Sequence, residues 1–220
     1  MSKLKSEAKD CRDVFNSFLV AQARYRGVFE LPMICSSDEV PNKLISFSRS
    51  INSRDCDQWV HFYEFDYRFE RLWRDPKRYL NGLKRFRGVI LPDFSVYRDM
   101  PFVMQLWNIY RSRAIGCWLQ VNGIKVIANI RWGDERTYSV CCEGISRGHV
   151  IAVGSNGAIA DICDRSFFIK GLAAAVGELE PKAVVVYGPA PRDIFGKYLE
   201  MGIEVVHFDS EMTCVRKGLR

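Results

Sequence analysis

The feature of this sequence that most constrains its fold is a repeated alternation between short apolar runs and longer helical stretches. The apolar runs, such as Val184-Val185-Val186, continue without polar interruption, which is typical of strands buried on both faces. Strands separated by helices pair in parallel, because parallel neighbours need crossover connections. The predicted strands occupy residues 59–64, 88–93, 124–130, 149–154, 183–188 and 203–208, with a weaker one at 43–47.

The helical stretches lie between these strands. They are predicted at residues 69–86 with an interruption near Pro76, at 101–121 with Asp99 as N-cap, at 165–179 and at 194–201. The predicted fold class is therefore α/β with a mainly parallel sheet. Two architectures remain open, an open doubly wound sheet and a partial or complete β/α (TIM-like) barrel.

Two observations favour the barrel. No GxGxxG motif follows the first strand and no GxxxxGK[ST] motif occurs, so the commonest nucleotide-binding signatures of open sheets are missing. Nearly every predicted strand also ends in polar, titratable or glycine residues. A barrel would gather these ends around one mouth, whereas an open sheet would spread them along an edge.

The chain divides at about residue 42 by composition. Residues 1–42 are predicted to form an N-terminal extension, with an amphipathic helix over residues 8–25, that packs onto a barrel-like domain at 43–220. The 220 residues are 48% hydrophobic and 26% charged, which indicates a globular protein and excludes a disordered, collagen-like or coiled-coil chain. No apolar run reaches the ~18 residues that a spanning helix needs, so we expect no membrane partner.

The eight cysteines form no CxxC pair and show no zinc-finger spacing. Together with an N-terminus that lacks the apolar core of a signal peptide, this predicts a cytoplasmic protein with reduced thiols. Cys117 and Cys163 lie in apolar runs and are predicted core residues. Of the adjacent Cys141 and Cys142, we expect one to be buried and the other half-exposed.

Candidate site residues come from the strand ends. The predicted catalytic residues are Asp93, Glu64 and Asp134, and the predicted substrate-binding residues are Asn129, Arg131, Trp132, Ser155 and Tyr187. The alternative is that strand ends are polar only because loops begin there.

Asp93 ends an otherwise apolar strand, where a carboxylate is partly desolvated and its pKa responds to neighbours. Glu64 and Asp66 are two residues apart and would share one face of a strand, an arrangement suited to general acid–base chemistry or to a divalent cation. No metal ligand set is assigned, and the cofactor stays open. Arg131 and Trp132 place a cation beside an aromatic plate, which suits a phosphate and a base, although a core Trp beside a surface Arg is the alternative.

Positive charge is concentrated in residues 68–87, here called the basic surface. It contains eight basic and two acidic residues, so its balance equals the +6 net charge of the whole chain. A local basic surface is the usual footprint of a polyanion, and a solvated helix face is the alternative. The residues predicted to bind nucleic acid are Arg74, Lys77, Arg78 and Lys84.

Four segments resemble a bacterial and phage family, domain-of-unknown-function family 4417. They are HFYEFDYRFERLWRDPKRYL, GVILPDFSVYRDMPFVMQLWNIYRSRAIGCWLQ, GIKVIANIRWGDERTY and VVVYGPAPRDIFGKY, and the resemblance covers residues 40 to 210. It implies a gene carried by phages, plasmids and other mobile elements, and it implies no established activity.

A second resemblance, in layout alone, is to the barrel of tRNA-guanine transglycosylases and their DNA-modifying relatives. It rests on the strand ending in Asp93-Phe94-Ser95, on a tryptophan-bearing turn after a later strand and on a later strand ending in glycine. The chain lacks that family's zinc-ligand cysteine cluster and glycine-rich nucleophile motif.

Two hypotheses follow. One is an uncharacterised phage or mobile-element enzyme that acts on a nucleotide or nucleic acid at a carboxylate-lined barrel mouth. The other is a non-enzymatic protein that binds nucleic acid or a host protein through the basic surface. Either would act in the cytoplasm of the bacterial cell or of the phage-infected host.

Overall fold

A computed structural model describes residues 13–216 and residue 218. The described N-terminal part contains a short 3-10 helix, Ser17–Val20, and a two-stranded antiparallel ladder of β1 (Tyr25–Arg26) and β2 (Leu31–Pro32). This part packs against the long helix of the main domain.

A seven-stranded parallel sheet forms the centre of the main domain. Its strands are adjacent in the order of the chain, so each crossover connects neighbours. The strands are β3 (Leu44–Ser46), β4 (Trp59–His61), β5 (Gly88–Ile90), β6 (Val126–Asn129), β7 (Val150–Gly154), β8 (Ala183–Tyr187) and β9 (Glu204–Phe208). The sheet curls into a partial barrel with β3 and β9 at its two edges, which confirms the predicted α/β fold class and the barrel-like architecture.

Helices surround the sheet, and the last of them lies at the carboxyl ends of the strands. They are α1 (Phe47–Ser50), α2 (Asp66–Arg74), α3 (Pro76–Leu83), α4 (Phe102–Val121), α5 (Ile162–Leu179), α6 (Arg192–Glu200) and α7 (Glu211–Arg216). The interruption predicted near Pro76 separates α2 from α3, and Asp75 caps α3 by accepting a hydrogen bond from the Arg78 N–H. At α4 the N-cap position is Pro101 rather than Asp99, so that detail of the prediction was wrong.

Successive strand residues alternate between two apolar layers. Val184 and Val186 pack in the outer layer beneath the helices, whereas Val185 points into the barrel. The interior cluster runs from Trp59 on β4 to Val185 on β8, and the edge residues Leu44 and Phe208 pack against it. Both faces of each central strand are therefore buried, which explains the uninterrupted apolar runs of the sequence.

The amphipathic helix predicted over residues 8–25 is wrong where the structure describes it, and residues 8–12 lie outside the described part. Asn16 adopts a left-handed conformation, with φ of 53°, and its side-chain amide donates to the Trp73 carbonyl at 2.7 Å. The left-handed residue breaks the helical path. Val14 and Phe15, which would lie on the apolar face of that helix, are exposed.

The segment before β3 is wedged between two strands of the sheet. The Ser37 N–H donates to the Val126 carbonyl at 2.7 Å, and the Val150 N–H donates to the Ser37 carbonyl at 3.1 Å. The buried Ser36 hydroxyl donates to the Val150 carbonyl and accepts from the Ala128 N–H. These bonds join residues 36–37 to the amino ends of β6 and β7. The division of the chain at residue 42 stays a prediction.

The cysteine predictions hold only in part. Cys117 is buried as expected, but Cys163 is exposed at the start of α5, and Cys141 and Cys142 are both buried. Cys163 lies in the first turn of the helix, before its buried face begins at Phe168. Among the described helices, none combines the length and the apolar character needed to cross a membrane.

Candidate functional site

The carboxyl ends of the strands converge on a cavity of about 940 Å³, here called the mouth cavity. Its walls include side chains or backbone from five strand ends and the turns that follow them: Tyr63, Glu64, Asp93, Arg131, Gly154 and Tyr187. A second cavity of about 1000 Å³ adjoins it and shares Tyr97, Arg131, Gly154 and Asn156 as walls. The volume of the mouth cavity suits a small organic ligand.

Asp93 lies in the wall of the mouth cavity, just beyond β5. Its Oδ1 accepts a hydrogen bond from the Asn129 side-chain amide at 2.8 Å, and its Oδ2 lies 3.8 Å from Nη1 of Arg131. Burial raises the pKa of the Asp93 carboxyl, the Arg131 charge and the Asn129 hydrogen bond oppose that rise, and Asp66 adds to it. The carboxyl is thereby easier to protonate than an ordinary aspartate.

Asn129 connects Asp93 to a tyrosine. Its Nδ2 donates to Asp93, and its Oδ1 accepts a hydrogen bond from the Tyr63 hydroxyl at 2.9 Å. Burial raises the pKa of Tyr63 well above its ordinary value, and the Asp93 charge adds to the rise, so the phenol keeps its proton. Three side chains from β5, β6 and the end of β4 thus form one hydrogen-bonded chain.

Aromatic rings stack beside this chain. The Tyr63 and Tyr187 rings are nearly parallel, with centroids 4.7 Å apart and an interplanar angle of 11°. The His61 ring lies 4.6 Å from that of Tyr187, and its Nδ1 accepts from the Tyr63 N–H. Burial lowers the pKa of His61 to about 3, so the imidazole is neutral and serves as packing for the tyrosines.

Glu64 and Asp66 do not form the predicted pair on a strand face. Strand β4 ends at His61 and Asp66 begins α2, so the two-residue period does not apply to them. Glu64 lies in the cavity wall, and its Oε2 accepts from the Ser48 N–H at 3.0 Å. Both oxygens of Asp66 are occupied by the N–H and hydroxyl groups of Ser95.

This donor set does not fit a divalent cation. The oxygens of Asp66 and Asp93 and Oε2 of Glu64 face N–H, O–H or guanidinium groups rather than one another. Oε1 of Glu64 is buried without a hydrogen bond and lies 3.9 Å from Nη1 of Arg68. No group of three or more His, Cys, Asp or Glu side chains among the described residues is arranged to hold a metal ion. These carboxylates therefore belong to a hydrogen-bonded network rather than to a metal centre.

Three of the predicted residues serve packing or loop structure. Asp134 holds Arg136 through three side-chain hydrogen bonds and accepts from its backbone N–H, and the Arg136 side-chain hydrogen bond lowers the pKa of the Asp134 carboxyl. Trp132 is buried against Phe168 of α5. The buried Ser155 hydroxyl donates to the Pro189 carbonyl at 2.7 Å, which joins the loops after β7 and β8.

The structure therefore brings together only part of the predicted site. Asp93, Glu64, Asn129, Arg131 and Tyr187 lie in or directly behind the wall of the mouth cavity. Asp134 and Trp132 line the second cavity instead. Their roles in catalysis and substrate binding stay predictions.

One member of the hydrogen-bonded chain, Tyr63, was missed from the sequence. Tyr63 follows His61 by two positions, so it shares the barrel-facing side of β4, and that spacing was the available signal. Asn156 stands between the two cavities in the Gly-bounded turn after β7.

The basic surface starts at the mouth and runs away from it along α2 and α3. Arg68 lines the mouth cavity, and Arg87, at the other end, pairs with Glu39 and Asp57. Within the described part of the chain, no ion pair engages the four exposed residues predicted to contact nucleic acid, Arg74, Lys77, Arg78 and Lys84.

The chain belongs to the domain of unknown function family DUF4417, whose model matches residues 23–209. It is similar to two phage proteins, each described as Gene 1 protein. The protein of Mycobacterium phage L5 is 34% identical over 73% of this chain and 71% of its own length. That of Mycobacterium phage D29 is 36% identical over 59% of this chain and 48% of its own length, so the match spans about half of the D29 protein. No solved structure matches, and the layout resemblance to transglycosylase barrels finds no support there.

Proposed function

We propose that this DUF4417 protein is an enzyme that acts on a nucleotide or nucleic acid, with Asp93 as the acid–base group of the mouth cavity. The observation that carries the proposal is the hydrogen-bonded chain of Tyr63, Asn129 and Asp93 beside Arg131 at one cavity wall. Perturbed carboxyls in clefts are candidate catalytic groups because their pKa values approach the range in which proton transfer is efficient.

Each of these side chains has a defined task in the proposal. Asp93 takes up or delivers a proton at Oδ2, since its Oδ1 is held by Asn129. Asn129 fixes the carboxyl by donating to its Oδ1, and the Tyr63 phenol, which stays protonated, holds Asn129 in turn. Arg131 has a buried Nε without a hydrogen-bond partner, and its guanidinium suits a phosphate oxygen.

The setting proposed for this activity is the cytoplasm of the bacterial cell or of the phage-infected host. All cysteines that the structure describes are free thiols, which suits a reducing compartment. The similarity to phage proteins supports a role in phage or other mobile-element biology.

The test is Asp93→Asn beside the control Asp55→Asn, which changes an exposed aspartate before β4. Nucleosides from host and phage nucleic acid are compared by mass spectrometry after expression of each variant. Asp93→Asn should abolish any change that the parent protein produces, and Asp55→Asn should not. Because a buried ionised carboxyl is costly, Asp93→Asn should melt at the same temperature as the parent or higher. An active but clearly less stable Asp93→Asn protein would show that Asp93 is structural.

A second candidate function is nucleic-acid binding without catalysis, favoured by the unpaired residues of the basic surface. Duplex binding through Z phosphate contacts gives a log–log salt slope of about −0.9Z. Replacing Arg74, Lys77, Arg78 and Lys84 together by Ala should flatten that slope by about two or more units. The charge-matched control replaces Lys125, Arg147, Lys170 and Lys197. An unchanged slope in the first variant would identify the basic surface as a solvated helix face.

A further inference from the structure

Exposed aromatic side chains stand at the edge of the mouth cavity. Phe65 and Tyr67 are 68% and 73% exposed, and their rings lie parallel, with centroids 5.9 Å apart and an interplanar angle of 12°. Tyr97 is also exposed and lines both cavities. These three residues, here called the aromatic rim, present ring faces to solvent at the entrance to the proposed site.

Positive charge accompanies the rim. The Arg68 guanidinium lies 5.9 Å from the centroid of the Tyr67 ring, and its Nε donates to the Tyr67 hydroxyl. Arg131 lies deeper, beside Asp93. The entrance carries the aromatic rim and Arg68, and the deeper cavity carries Arg131 and Asp93. The mouth therefore combines rings on which bases can stack with guanidinium groups that can bind phosphate.

We propose that the mouth takes its nucleotide from an unpaired segment of a nucleic acid rather than as a free molecule. The target base enters the mouth cavity, a neighbouring base stacks on the Phe65 and Tyr67 pair, and Arg68 contacts the backbone between them. This inference rests on the proposed function, which supplies the target nucleotide, and adds that this nucleotide is part of a single strand.

The position of the rim favours a polymer over a free nucleotide. A free nucleotide has one base, and the mouth cavity, at about 940 Å³, is large enough to hold it entirely. The rim rings would then stay exposed to water. A second base from the same strand covers them, as aromatic platforms do for successive bases of single strands. An enzyme acting on a base in a duplex has to unpair the base and take it out of the stack. In an unpaired segment the base is already unpaired, so this energy is not needed.

The test compares three probes: a fluorescent single-stranded oligonucleotide, the same sequence as a duplex, and free nucleoside monophosphates. The parent protein should bind the single strand more tightly than either of the others. The double variant Phe65→Ala/Tyr67→Ala should weaken single-strand binding by about 5- to 100-fold, as the loss of one stacked base does, and leave monophosphate binding unchanged.

Two controls separate the loss of base stacking from the loss of an exposed aromatic ring as such. Phe15→Ala removes a ring that is 67% exposed and precedes the 3-10 helix Ser17–Val20, so it should change nothing. Phe65→Tyr keeps two stacking rings and the Tyr67 hydroxyl that accepts from Arg68, so it should bind like the parent. The proposal is overturned if the alanine variant keeps the parent's affinity for the single strand, or if the parent binds monophosphates or duplex equally well.

These outcomes separate the inference from the proposed function. Asp93→Asn should keep single-strand binding and lose activity. If that variant stays active while the rim variant loses binding, the catalytic assignment fails and the rim assignment stands. If the rim variant binds and acts like the parent, the rim assignment alone fails.

Discussion

Gly171 of α5 offers a sharp test of how the loop after β6 is held. A Cβ added at this position would lie 2.2 Å from Nε1 and 2.3 Å from Cε2 of the Trp132 indole, closer than real contacts allow. The indole cannot easily move, because it is buried and its ring lies 5.5 Å from that of Phe168. Since Trp132 follows Arg131 directly, displacing the indole would also disturb a wall of the mouth cavity.

Gly177 in the same helix provides the matched comparison, because a Cβ there would meet nothing within 4 Å. Both Gly→Ala changes gain about 0.5–1 kcal/mol from helix propensity. Overpacking at Gly171 costs about 1–3 kcal/mol, and Gly177→Ala carries no such cost. The two variants should therefore differ by about 1–3 kcal/mol in free energy of unfolding. At about 2–4 °C per kcal/mol for a chain of this size, Gly171→Ala should melt about 2–12 °C below Gly177→Ala.

The assay is thermal unfolding of both variants, repeated with Trp132→Leu in each background. The smaller leucine side chain should remove most of the difference between the two alanine variants, because the clash partner is gone. Equal melting temperatures for Gly171→Ala and Gly177→Ala would refute the argument. So would a gap that persists unchanged without the indole.

Two further predictions concern polar contacts. Ser36→Ala leaves the buried Ala128 N–H without its acceptor and should lower the free energy of unfolding by about 1–3 kcal/mol, measured by denaturant titration. The control Ser139→Ala changes an exposed serine and should not lower it. Equal effects of the two changes would argue against a structural role for the Ser36 hydroxyl between β6 and β7. The Arg136 side-chain hydrogen bond lowers the pKa of Asp134 from 3.8, so the ionised carboxylate stabilises the fold above pH 3.8 and this contribution is lost as the pH falls through the lowered pKa. Asp134→Asn should therefore reduce stability at pH 7 and flatten the acid side of a plot of melting temperature against pH. Parallel plots for the parent and the variant would contradict this prediction.

The sheet was predictable because burial on both faces leaves a direct mark on the sequence. Runs such as Val184-Val185-Val186 indicated all seven strands of the sheet. The errors in these strands concern only where they begin and end, as at His61, where a strand predicted to reach Glu64 stops early. The N-terminal helix failed for a different reason. Its apolar spacing was present, but Asn16 found a tertiary partner in the Trp73 carbonyl and left the helical conformation.

The site was harder to predict because side-chain direction reverses at each strand residue. Asn129 and Arg131, two apart, both point toward Asp93, whereas Trp132, one residue on, packs against α5. Proximity to a strand end therefore identified the right loops without separating wall residues from packing residues. The rim was missed because exposure of Phe65 depends on how α2 begins, and apolar residues near a strand are ordinarily buried.

The closed amino end of the barrel determines where a ligand can enter and leave the mouth cavity. Trp59 lies across Gly88 so tightly that a Cβ on the glycine would be 2.3 Å from the indole, and the interior below the mouth is filled by the side chains of β4 to β8. Nothing can be threaded along the barrel axis through the part of the chain that the structure describes. A ligand of the mouth cavity therefore enters and leaves at the carboxyl ends of the strands, where the second cavity adjoins it. For the single strand proposed above, this means that a long polymer would be released sideways rather than passed through the barrel.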